Sequence, residues 1–238
     1  MRTLIPSIFL LAFLAASANA GPKHDGLDVI LKNYTSNGHV NYVDILNKAK
    51  FDMYAYLDYL ANSDVSLLSR DEQLAYYINL YNASVIKGIT ERWREGYSPA
   101  EKDHQLFKDP LVNMSGERKM SLNDLENKVI RPTFKDPRVH VALVCGAKGC
   151  PPLLSRAYQA ADLNETLDAN MKRFINDPDR NTIDREKKKV VLSRIFDWYA
   201  DDFGGKDKVL SYISKYVDGG SVEGYTVEFR DYDWSVNS

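Results

Sequence analysis

From Ser69 to Trp93 the chain reads SRDEQLAYYINLYNASVIKGITERW. Its apolar positions Leu74, Ile78, Tyr81, Val85 and Ile89 recur at helical spacing and make one stripe. Ser69 stands where a helix cap belongs, and Asp71 and Glu72 fall in the first turn, where the helix dipole favours negative charge. A second face carries Ala75, Asn79, Asn82 and Ile86. Two asparagines one turn apart in apolar surroundings need partners, because a buried amide left without hydrogen bonds costs about 1–3 kcal/mol. They either tie neighbouring loops or orient a polar group in a site. Both readings make this helix central.

The pattern changes along the chain. FDMYAYLDYLANS sets Met53, Tyr56, Leu57 and Leu60 at helical spacing. LVNMSGERKMSL predicts a hairpin, Leu111 to Met114 and Lys119 to Leu122, turning through Ser115 and Gly116. Ser121 or Asn123 starts a helix that runs through Ile130 and stops at Pro132. The β-branched run from Val139 to Cys145 predicts a buried strand. A helix over Leu163 to Ile175 follows, then strands around Asn181 to Asp184 and Lys189 to Leu192, flanking the basic tip REKKK. IFDWYADDF and KDKVLSYISKYV predict short helices ahead of a last strand, Tyr225 to Arg230. Helices gather early and strands late, which predicts α+β. A helical N-terminal half surrounds the central helix and packs on a small mixed or antiparallel sheet.

The opening MRTLIPSIFLLAFLAASANA has the form of a secretory signal, with a short apolar run and an A-x-A site that predicts cleavage after Ala20. That run is shorter than the roughly 20 apolar residues a spanning helix needs. The expectation is an exported protein, periplasmic or secreted and not membrane-spanning, with residues 21–238 forming a single domain. A net charge of −2 and a pI near 6.1 give no basic footprint for nucleic acid. No nucleotide loop, zinc-protease motif or G-x-S-x-G is present, and no cofactor is expected. Asp197, Asp201 and Asp202 offer two carboxylates at i and i+4 for acid/base or metal chemistry, and the favoured reading is a solvated acidic face.

Candidate chemistry concentrates in CGAKGCPP, which holds both cysteines, Cys145 and Cys150. Two ligands cannot make a structural zinc site, and the four histidines, His24, His39, His104 and His140, include no H-x3-5-H pair, so no metal is expected. His24 is expected in a frayed terminus. On a regular strand, His140 and Cys145 lie about 16 Å apart on opposite faces. A Cys–His pair therefore needs His39 or His104 from elsewhere. Gly146 and Gly149 let the loop reverse, so a disulfide is feasible. Pro151 and Pro152 behind Cys150 suit the first turn of a helix, whose positive end would lower the Cys150 pKa.

Several stretches together carry a resemblance: LAYYINLYNASVIKGI, RPTFKDPRVHVALVCGAKGCPPL, RFINDPDRN, SRIFDWYADDF and YDWSVN. From about Val40 to the C-terminus the chain resembles the domain of unknown function 547 family. The resemblance implies an exported or multidomain-associated α+β domain without an established reaction, and some relatives are joined to glutaredoxin-like domains. It marks Asn79, Asn82, His140, Cys145, Gly149, Cys150, Pro151 and Pro152 as motif positions.

Three functional readings follow. The first is thiol-dependent chemistry on a thiol, disulfide or peptide substrate, with Cys145 and Cys150 as a redox pair or Cys150 as nucleophile, His140 as a further catalytic candidate despite the separation expected on a strand, and Asn79, Asn82, Gly149, Pro151 and Pro152 as binding positions. The second is a non-enzymatic envelope binding or scaffold domain stapled by the disulfide. The third is a papain- or transglutaminase-like hydrolase using a distant histidine.

Overall fold

The structure, a computed structural model, describes residues 21–114 and 118–238. The expected signal segment and the hairpin turn at Ser115 and Gly116 lie outside the described residues. The central helix, Arg70–Arg92, starts on a full capping box: the Ser69 hydroxyl accepts the Glu72 N–H, and the Glu72 carboxylate accepts the Ser69 N–H. Helix Lys50–Ala61 packs beside it, with helix Asp25–Tyr34 against Lys50–Ala61 in turn, and the central helix is buried from Leu74 to Ile86 without a break. Its apolar stripe and its asparagine face are both interior.

The strands are short. β1 (Thr35–Ser36) and β2 (His39–Val40) form one hairpin, and β3 (Val112–Met114) and β4 (Arg118–Met120) the next. β5 (Thr182–Asp184), β6 (Lys189–Leu192) and β7 (Thr226–Phe229) form a mixed sheet, with β6 antiparallel to β5 and parallel to β7. The fold is α+β. A large core surrounds the central helix, and a smaller one is built from Phe174, Val190, Leu192, Phe196 and Ile213 around the mixed sheet.

Two predicted elements are absent. Val139 to Cys145 is not a strand: Pro137–Val141 is a 3-10 turn, opened by the Asp136 side chain on the Arg138 N–H. Beyond it, Asn82 takes two of the backbone groups a sheet neighbour would take, and the Ala142 and Leu143 N–H groups turn back to the Val139 carbonyl. The Asn82 amide donates to the Ala142 carbonyl and accepts from the Val144 N–H, both at 2.9 Å. Nor does Pro151 open a helix; the chain from Pro151 to Gln159 is irregular, pinned by Arg180 Nε on the Cys150 carbonyl (2.7 Å) and by Arg173 on that of Pro152 (3.1 Å). The helix after Ser121 also runs past Pro132 to Phe134, through a π-helical segment at Leu125–Ile130. Pro132 sits at the start of the re-registered last turn, where a missing N–H is tolerated.

His24 is buried rather than frayed, 3% exposed, with Nδ1 2.7 Å from the Tyr56 hydroxyl. Desolvation, opposed by Asp28 and Asp25, lowers its pKa from 6.5 to about 4. Because the unfolded chain takes up the proton more readily, this histidine's contribution is complete above pH 6.5 and is lost as pH falls toward 4. We expect it to cost about 2–3 kcal/mol between pH 7 and pH 4.5. Urea unfolding at those two pH values should show a smaller difference in His24→Gln than in the parent; equal differences would remove His24 as the cause.

Candidate active site

The cysteine loop lies where the two cores meet. Val139 packs into the large core and Val141 into the small one, and Tyr232 packs against both. Between the cores is a cavity of about 70 Å³, walled by Cys145, Cys150, His140, Glu126, Tyr199 and Tyr232 among others. That is room for a water molecule or a sulfhydryl head, since water occupies about 30 Å³ in the liquid.

Cys145 and Cys150 are bonded, with Cα atoms 6.2 Å apart. The ring closes because Gly146 takes φ +81° and presents no side chain toward Ile89. The two sulfurs differ. Cys150 is 2% exposed, whereas Cys145 is only partly buried. Cys150 Sγ accepts the Cys145 N–H at 2.9 Å and the Tyr232 hydroxyl at 3.2 Å, while among the described residues Cys145 Sγ has only that hydroxyl, at 3.3 Å. Desolvation raises the Tyr232 phenol far above its ordinary value and keeps it protonated, hence a donor.

A C-terminal strap positions Tyr232. Gly149 N–H donates to the Asp233 carbonyl, Lys148 N–H to that of Ser235, and Asn237 N–H to that of Gly146, all at 2.8–2.9 Å. The strap approaches so closely that a Cβ at Gly149 would stand 3.1 Å from the Tyr232 ring. Its other aromatic, Trp234, lies 4.7 Å from Tyr232 between ring centroids, and Trp198, 48% exposed, lies 4.9 Å from Tyr232.

The polar wall is built from distant segments. His140 Nε2 lies 2.7 Å from Asp202, and its Nδ1 lies 3.9 Å from Glu126. Arg131 grips Asp202 with two nitrogens, at 2.7 and 3.0 Å. The hydrogen bond to His140, then Arg131, hold the Asp202 carboxyl well below the usual carboxylate range against a desolvation cost. Glu126, on the π-helical segment, accepts the Tyr81 hydroxyl at 3.3 Å, and the Tyr199 ring stacks on His140 at 3.9 Å. Single π turns are frequent at functional sites. Here the widened turn is where a buried carboxylate enters.

The 3-10 turn therefore overturns the separation expected of His140 and Cys145: both stand in one cavity wall. Pro151 lines the same cavity. Pro152 instead packs against Gly38. Asn79 and Asn82 lie outside the cavity walls and spend their amides on backbone, Asn79 on Tyr158 (2.8 and 2.9 Å) and Asn82 on the Ala142–Val144 segment. His104 packs on Trp234, and His39 is on β2; neither lines the cavity. Asp202 corrects the solvated acidic face, being held between His140 and Arg131. Sequence reasoning missed Glu126, Arg131, Tyr81 and Tyr232. The only signal for Tyr232 and Tyr199 was the aromatic density of YDW and DWYADDF.

Among the described residues, no group of three or more His, Cys, Asp or Glu is placed to hold a metal ion, and no helix is long and apolar enough to cross a membrane. Residues 65–175 match the family model described as protein of unknown function, DUF547. The match takes in Tyr81, Glu126, Arg131, His140 and both cysteines, and ends before Tyr199, Asp202 and Tyr232. No curated protein and no solved structure matches the chain.

Proposed function

Because this chain belongs, through residues 65–175, to the DUF547 family, described only as of unknown function, its chemistry has to come from its own site, and we propose thiol–disulfide exchange by an exported protein. One observation carries this reading: the two sulfurs of the Cys145–Cys150 bond are unequally exposed and unequally hydrogen-bonded, in a cavity that also holds an imidazole and a carboxylate. An incoming thiolate bonds to Cys145 Sγ, the S–S bond breaks, and Cys150 Sγ leaves with the electron pair. The Cys145 N–H and the Tyr232 hydroxyl already point at the atom where that charge develops. His140, backed by Asp202 and beside Glu126, takes the thiol's proton. A second thiol displaces the first as its disulfide. In sum, two thiols lose two electrons and two protons, and the protein gains a dithiol.

The test is to equilibrate the mature protein in buffers of graded thiol and disulfide content, quench with acid, alkylate, and weigh the intact chain. Half-reduction in the range of exchange catalysts, above about −300 mV, supports the proposal. A bond still intact below that potential rejects it. The stapled binding domain would then lead, favoured by the exposed Trp198 face beside Tyr232 and Trp234.

A further inference from the structure

A second cleft, of 260 Å³, adjoins the cysteine loop, with Lys148, Gly149 and Tyr232 among its walls together with Arg194, Arg230 and Asp231. Tyr232 belongs to both spaces, so the cleft and the disulfide cavity share one side chain. Its charges are of both signs. Arg180 also lines it, but that guanidinium is committed, to Asp177 at 2.6 Å and to the carbonyls of Cys150 and Lys148 at 2.7 and 3.0 Å.

Arg230 is not committed in the same way. One terminal nitrogen donates to Thr182 Oγ1 at 2.9 Å and to the Pro178 carbonyl at 3.4 Å, while the buried Nε has no hydrogen-bond partner among the described residues. The other terminal nitrogen, Nη1, makes no hydrogen bond among the described residues and is the one a carboxylate in the cleft can take. Lys148 stands exposed at the same cleft and can close on the other side of such an anion. Asp231 and Asp179, both exposed there, offer carboxylates to a cation. The volume lies just under the about 300–1,000 Å³ of drug-sized ligand sites, which suits a dipeptide better than a protein segment.

We infer that this cleft is the recognition subsite for a zwitterionic thiol, an amino-acid or dipeptide thiol. Its carboxylate rests on Arg230 and Lys148, its ammonium on Asp231 and Asp179, and its sulfur passes Tyr232 to reach Cys145. The inference deepens the exchange reading and rests on it for the reaction, though not for the binding.

The experiment compares reduction of the full-length protein by cysteinylglycine and by 2-mercaptoethanol, each rate divided by that thiol's rate on a small reference disulfide. We expect the normalised ratio to favour cysteinylglycine at least tenfold, and to fall toward one in Lys148→Glu and in Arg230→Gln. Lys148 is exposed, so its variant carries the test should the Arg230 variant misfold. Reduction by both thiols at a ratio near one, or a ratio that neither substitution moves, overturns the subsite and leaves the exchange reading standing. Should neither thiol reduce the bond, the exchange reading falls, and calorimetry with alanylglycine decides the subsite alone. Binding that weakens tenfold in Lys148→Glu supports it, and no binding overturns it.

Discussion

In Cys150→Ser the remaining thiol should capture a small disulfide and hold it, whereas in Cys145→Ser the remaining thiol should stay unmodified. The asymmetry follows from burial and hydrogen bonding together. Cys145 is the partly exposed sulfur, and Cys150 is 2% exposed behind the strap. With Cys150 replaced, no resolving thiol can expel the captured group. Exposure to cystamine followed by intact mass should show one adduct on Cys150→Ser, formed at least tenfold faster than any on Cys145→Ser. Tyr232→Phe, with both cysteines kept, should slow reduction of the parent bond about tenfold or more, because a hydrogen bond to a charged group is worth about 1.5–3 kcal/mol. Equal adduct rates on the two serine variants would contradict the polarity assigned here. They would return Cys150 to the nucleophile's place that its two prolines suggest from sequence.

The reason for that reversal is physical. Placing Cys150 at a helix N-terminus required Pro151 to begin a helix, and two side chains from far along the sequence prevent it. Arg180 and Arg173 draw the Cys150 and Pro152 carbonyls outward. Such contacts leave no periodic trace. By contrast, the central helix, its cap and the Leu163–Ile175 helix follow from local spacing and were readable residue by residue.

The polar wall was hidden for a related reason. His140 and Asp202 are 62 residues apart, and Tyr232 meets Cys150 across 82. The acidic run in DWYADDF looked like a solvated helix face because three aspartates stand close together. Only one of them turns inward: Asp197 pairs with Arg194 and Lys206, Asp201 is exposed, and Asp202 faces His140. The buried strand expected at Val139 to Cys145 failed differently. Its β-branched residues are interior as their type demands, but burial does not require a sheet when another group satisfies the backbone. Here that group is a side chain, Asn82. Asn82, the second asparagine of the central helix, and the missing strand therefore have one answer, while Asn79 holds the Tyr158 backbone.

That answer makes Asn82→Ala the substitution with the largest expected cost to stability. Removing the amide strands the Ala142 carbonyl and the Val144 N–H, both bonded to it at 2.9 Å in the interior. At about 1–3 kcal/mol for each orphaned group, the loss is about 2–6 kcal/mol, and alanine's better helix propensity returns at most about 0.7 kcal/mol. Against the roughly 5–15 kcal/mol that holds a domain folded, this is a large share. Urea unfolding should show a lower midpoint with an unchanged slope, since the surface exposed on unfolding stays the same. Asn82→Asp should not rescue it. A carboxylate still accepts from Val144 but sets a negative oxygen against the Ala142 carbonyl, where the amide had donated. The loop so released leads directly into Cys145, so the exchange rate should fall with stability. A variant within about 0.5 kcal/mol of the parent would mean the segment finds other partners, as ordinary surface substitutions do. The helix would then no longer be what sets His140 and Cys145 in one wall.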